Sequence, residues 1–96
     1  MDIVINSGGY PLNEEDKNYI NRKVENFQHL NQKIHRCEII IREENNASAP
    51  LLVEMKIFGA TPSPIFLSKN GKTLREAFDK LVGSAKRRIT DKEKHK

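Results

Sequence analysis

The chain has 96 residues, 17 Lys and Arg against 13 Asp and Glu for a net charge of +4, and one cysteine. That length predicts a single domain over residues 1–96, and chains of this size bury roughly 60 to 70% of their unfolded surface, enough to fold without disulfides or metal. A lone Cys37 excludes an internal disulfide, and no run approaches the ~20 apolar residues of a membrane span. With no basic region or cleavage site between Met1 and Ile5, a cytoplasmic protein is expected.

Ile3-Val4-Ile5 alternates along a short strand, closed by the turn Ser7-Gly8-Gly9. Asn13 is a natural helix cap, followed by Glu14, Glu15 and Asp16 against the positive end of the dipole. The stripe Ile20, Val24, Phe27 and Leu30 or Asn31 predicts one helix over residues 14 to about 32. Cys37, Ile39 and Ile41 alternate with Glu38, Ile40 and Arg42 in a second strand. Val53, Met55 and Ile57 alternate with Glu54 and Lys56 in a third. Residues 65–68 predict a short fourth strand, Asn70-Gly71 a turn, and Thr73-Leu74-Arg75-Glu76 a capping box. Leu74, Ala77, Phe78, Leu81, Ala85 and Ile89 then form the apolar stripe of a second helix, whose basic end frays over about residues 90–96. The expected architecture is α+β, in the order β-α-β-β-β-α: a four-stranded mixed sheet with both helices on one face, a layout like that of double-stranded-RNA-binding domains.

Catalytic signatures are missing. Gly8-Gly9 lacks the Lys-Ser/Thr of a phosphate loop, and neither a Gly-x-Ser-x-Gly elbow nor a His-Glu-x-x-His pair occurs. His29, His35 and His95 are scattered, Glu43 and Glu44 sit in a polar turn, and Cys37 falls on the buried side of a strand as a small core hydrophobe. No catalytic residue, cofactor or metal is expected, and the chain reads as a protein that is not an enzyme. Charge supplies the remaining signal. Residues 1–68 hold 7 basic against 9 acidic side chains, net −2, whereas residues 69–96 hold 10 against 4, net +6. Lys80, Lys86, Arg87, Arg88 and Lys92 crowd the last helix, and Lys17 and Lys23 of the first can join them. Such a cluster is either a solvated basic tail or a face for an anionic partner. A membrane role is disfavoured because the apolar stripe is committed to the sheet. With six aromatics, mostly in core or strand positions, phosphate and shape contacts outweigh base readout.

Over essentially its whole length the chain resembles the short ribosome hibernation-promoting factors, also called ribosome-associated inhibitor A or protein Y. The resemblance rests on Ile3-Val4-Ile5, on Tyr19-Ile20-x2-Lys23-Val24-x2-Phe27, on Ile34, on Asn70-Gly71, and on Ala77-Phe78-Asp79-x-Leu81-Val82 followed by Arg87, Ile89 and a lysine-rich end. It implies a bacterial or plastid ribosome as partner. It also implies occupation of the messenger and transfer RNA channel of the small subunit, and silencing of translation in stress or stationary phase. An additional ribosome-dimerising factor is a further partner in that setting, and the chain itself is expected to be a monomer. Lys17, Lys23, Arg87 and Lys92 match basic positions of the family. Ser84 and Asn26 stand where lysines are usual, Asp91 interrupts the basic tail, and Arg88 stands where glutamine is frequent. Lys80, Lys86 and Arg88 are the candidate compensating cations for rRNA. Two other readings stay open: a generic double-stranded-RNA binder, and a protein-interaction regulator acting through Ile40, Leu52 and Phe66 on the outer sheet face.

Overall fold

A computed structural model describes the backbone of residues 1–45 and 47–94, with side chains up to residue 90. Strand β1 (Asp2–Asn6) leads through helix α1 (Glu14–Glu25) and the short α2 (Phe27–Leu30) into β2 (Arg36–Glu43), β3 (Leu51–Phe58), β4 (Ile65–Gly71) and α3 (Leu74–Lys94). The sheet order is β1-β2-β3-β4, with β1 parallel to β2 and the other pairs antiparallel. This is the expected mixed sheet and element order.

Side chains alternate across a strand, so the register decides what faces the helices. Ile3, Cys37, Ile57 and Ile65 align across the four strands on the inner face, and Val4, Glu38, Lys56 and Phe66 on the outer. The inner rows close one core with Ile20, Val24 and Phe27 of the first helical segment and with Leu74, Ala77, Phe78, Leu81, Ala85 and Ile89 of α3. Every residue of the α3 stripe read from the sequence is buried. Both helix starts are capped as their side chains predict. Asn13 Oδ1 accepts from the Asp16 N–H at 2.8 Å, and Thr73 Oγ1 accepts from the Glu76 N–H at 3.1 Å. The Glu76 carboxylate accepts from the N–H of Lys72, one residue before the cap.

Two boundaries differ from the sequence reading. The first helix is interrupted at Asn26 and stops at Leu30, two residues short of the expected end. There the His29 N–H bonds to the Asn26 carbonyl three residues back, a tighter turn than the α ladder, and Asn31 Oδ1 takes the Lys33 N–H and turns the chain. The second difference concerns Asn70-Gly71, which lies within β4 instead of forming the expected turn after it. Both residues pair with β3, Asn70 opposite Leu52 and Gly71 opposite Leu51. Gly71 is needed there for space: a Cβ would lie 2.6 Å from the backbone nitrogen of Ala77, where α3 crosses the end of β4.

Helix α3 has 21 residues, about 30 Å at 1.5 Å per residue, and continues five residues past Ile89 to Lys94. Residues 95–96, in the end expected to fray, lie outside the described residues. No described helix is long and apolar enough to cross a membrane.

Candidate nucleic-acid interface

Helix α3 packs over β3 and β4 with α1 beside it, so a basic surface built on α3 has three borders: the α1 groove, the β4 flank and the β3–β4 loop. The structure distributes the sequence-predicted cations among these borders. Lys80 and Arg87 are seven residues apart, about 20° on the helical wheel, and share the β4 flank. Both line one groove with Lys69 of β4, Asp79, Gly83 and Ser84. Arg87 Nη2 donates to Ser84 Oγ at 3.2 Å, and Lys80 Nζ lies 3.4 Å from Glu76 Oε1. The backbone N–H of Lys72 is the main reason the Glu76 carboxyl sits below its ordinary pKa, with Lys80 adding to it.

Arg88 is about 100° further round the helix and borders a notch with Thr61, Pro62, Ser63, Pro64 and Ile65 of the β3–β4 loop. Lys86 is exposed about 120° from Lys80, toward the α1 side. Lys92 lies outside the residues whose side chains are described.

The α1 border is organised around Tyr19. Its ring meets Phe78 edge-on with centroids 6.0 Å apart, and its hydroxyl donates to Asp79 Oδ1 at 2.5 Å. That hydrogen bond, reinforced by burial, holds the phenol above its ordinary pKa. The Arg75 guanidinium stacks over the same ring at 3.9 Å and reaches Asp16 Oδ1 at 3.6 Å. Lys23 Nζ, one turn along α1, lies 5.5 Å from the same ring centroid, on the side of α1 that Tyr19 presents to α3. Lys17 lies about 120° from Lys23 around α1, and its ammonium is 3.8 Å from Glu14.

Sequence reasoning missed Lys69 and Arg75. Lys69 shares the strand parity of Ile65 and Leu67 on the helix-bearing side of β4, one residue past the end the sequence predicts for that strand. Arg75 shows in the sequence only as an interior residue of the capping box.

The outer sheet face is a poor match for an anion. Arg36 pairs with Glu38 at 2.9 Å and Arg42 with Glu54 at 3.0 Å, while Lys56 lies over the ring of Phe66. Ile40 and Leu52 are half-buried there; Phe66 is 56% and Val4 40% exposed. Cys37 is fully buried, and burial pushes its thiol up to about 12, which keeps it neutral and unreactive. Among the described residues no group of three His, Cys, Asp or Glu side chains could hold a metal ion.

Comparison with solved structures places this architecture beside two others. A ribosomal subunit interface protein from Coxiella burnetii is similar with a TM-score of 0.82 and 15% identity, over 97% of this chain and 98% of that one. The N-terminal domain of Thermus thermophilus protein Y is similar with a TM-score of 0.77 and 11% identity, over 93% and 96%. At such identities the likeness is one of fold. No curated protein sequence matches the chain. The family described as sigma 54 modulation protein / S30EA ribosomal protein matches residues 3–96, nearly the whole length, and the chain belongs to that family.

Proposed function

We propose that the protein is a ribosome hibernation factor, which binds the small ribosomal subunit through its rRNA in the channel of messenger and transfer RNA and silences translation under stress or in stationary phase. The family match over residues 3–96 carries this reading. The printed names of the two similar structures, a ribosomal subunit interface protein and protein Y, agree with it. The charge pattern supports the mode of contact. Lys80 and Arg87 on one flank, Arg88 at the loop, Lys86 toward α1 and Lys23 on α1 put cations on several borders of the helical layer, whereas Arg36 and Arg42 of the outer sheet face are paired with Glu38 and Glu54.

Binding of this kind gains free energy from counterions released as Lys and Arg neutralise phosphates. Inhibition then needs no chemistry. A body with extents of 42 × 25 × 18 Å lodged in the path excludes messenger and transfer RNA by its volume. The inhibitor acts stoichiometrically, in the cytoplasm, and consumes no substrate.

Sedimentation on a sucrose gradient tests this. The chain mixed with purified subunits and whole ribosomes should comigrate with the small subunit and be displaced by preloaded messenger and initiator transfer RNA. Failure to comigrate, or equal binding with and without the preloaded RNAs, refutes channel binding.

A further inference from the structure

We propose that the depression floored by Gly83 on the β4 flank of α3 is a seat for a single RNA backbone phosphodiester, gripped jointly by Lys69, Lys80 and Arg87. This rests on the RNA-binding reading above and identifies which cations act as one unit.

The groove is lined by Lys69, Asp79, Lys80, Gly83, Ser84 and Arg87, so its cations come from two elements. Gly83 sits in the interior of a helix that runs unbroken from Leu74 to Lys94, where glycine costs helix stability. The fold does not need it for space: the nearest atom to an added Cβ is Arg87 Nη1, at an ordinary 3.9 Å. The absent side chain leaves a hollow, and the bond from Arg87 Nη2 to Ser84 Oγ at 3.2 Å folds the guanidinium back toward it. Three cations and one carboxylate line the hollow, a net charge of +2. That carboxylate, Asp79, is already engaged by the Tyr19 hydroxyl. Lys80 is held only by its exposed pair with Glu76, which an incoming phosphate can replace. Guanidinium, two ammonium groups and a hydroxyl match the oxygens of a phosphodiester. No aromatic side chain lines the groove for a base to stack on.

Joint grip on one phosphate has a signature that separate contacts lack. Binding of the full chain to purified small subunits is measured over a range of salt for Lys69→Gln, Lys80→Gln, Arg87→Gln, their pairs and the triple variant. Each single change should weaken binding by about 5- to 10-fold. The triple loss should fall well short of the product of the three, and the slope of log K against log salt should drop by about 0.7 to 0.9, one phosphate's worth. Gly83→Leu fills the hollow with a better helix former. It should keep or raise the melting temperature while losing about as much affinity as the triple variant. Multiplicative losses with a slope drop of about 2 to 3 mean three separate phosphates and overturn the seat. So does Gly83→Leu binding like the wild type.

Inorganic phosphate titrated into the isolated protein, followed by amide NMR at Gly83 and Ser84, separates the remaining cases. Shifts at those amides alongside unchanged subunit affinity in every variant identify a site for free anions and overturn its assignment to RNA. If the wild type fails to bind subunits at all, the hibernation reading falls. The hollow as an anion seat then stands on phosphate shifts that the triple variant abolishes, and falls if no shift occurs.

Discussion

Replacing Phe78 by alanine tests whether α3 is held on the sheet by the contacts described. The side chain is fully buried, is among the largest in the core, and meets the Tyr19 ring at 6.0 Å and 65°. Truncating a buried Phe to Ala costs about 3 to 5 kcal/mol, part of it transfer free energy and part the cavity left where neighbours cannot close in. The edge-to-face contact with Tyr19 accounts for about 0.5 to 1.5 kcal/mol of such a loss. Ninety-six residues correspond to about 5 to 14 kcal/mol of total stability, so the variant is marginal. At roughly 4 to 8 °C per kcal/mol, its melting temperature should fall by at least about 12 °C. Phe78→Leu keeps most of the volume and should cost only about 1 kcal/mol, so one member of the pair stays measurable. Urea unfolding followed by circular dichroism gives both values. A loss below about 1 kcal/mol for Phe78→Ala, the range of surface changes, would refute the packing of α3 on this core.

The double change Arg87→Ala with Arg88→Ala should weaken small-subunit binding by about 2 to 4 kcal/mol and flatten its salt dependence, with unfolding little changed because both side chains are exposed. Lys96→Ala should do much less in the same assay. Gly71→Ala places a methyl 2.6 Å from the Ala77 nitrogen, so differential scanning calorimetry should show a loss of about 1 to 3 kcal/mol as the start of α3 is forced off β4. Glu76 is an acid whose folded pKa is depressed, so its contribution to stability is present above the ordinary carboxylate range and lost as pH falls through the folded value. Melting curves of the wild type and Glu76→Gln should therefore converge as the pH is taken below the ordinary carboxylate range. Cys37, with its thiol at about 12, should react with iodoacetamide at pH 8 only as fast as the domain opens, so labelling across a urea series should track global unfolding.

The elements that were legible are those in which each residue's own period reports its surroundings. Cys37, Ile39 and Ile41, or Leu74, Phe78, Leu81 and Ile89, announce a buried face because alternation and the 3.6-residue repeat are local properties. Asn70-Gly71 misleads for the opposite reason. The dipeptide has strong turn chemistry, but Gly71 is glycine because a helix arriving later in the chain needs the space of its Cβ. Asn26 carries no breaker signature, and the interruption beside it shows only in the tightened bond from His29. The basic character of α3 was equally plain, whereas its division among three borders was not. Lys80 and Arg87 could be aligned from their spacing, but nothing local brings Lys69 beside them or removes Lys17 to the far side of α1. By spacing alone Tyr19 only flanks the stripe of Ile20, Val24 and Phe27. Its ties to Asp79, Arg75 and Phe78 span about sixty residues of chain, and only the fold reveals them.

Cryo-electron microscopy of small subunits saturated with the chain tests channel occupation most directly. The expected result is density for the sheet and its helical layer in the path of messenger and transfer RNA, with α3 and the β4 flank against rRNA phosphates and the outer face of Val4 and Phe66 turned away from them. Density outside the channel, or a domain docked on rRNA through that outer face, would contradict it.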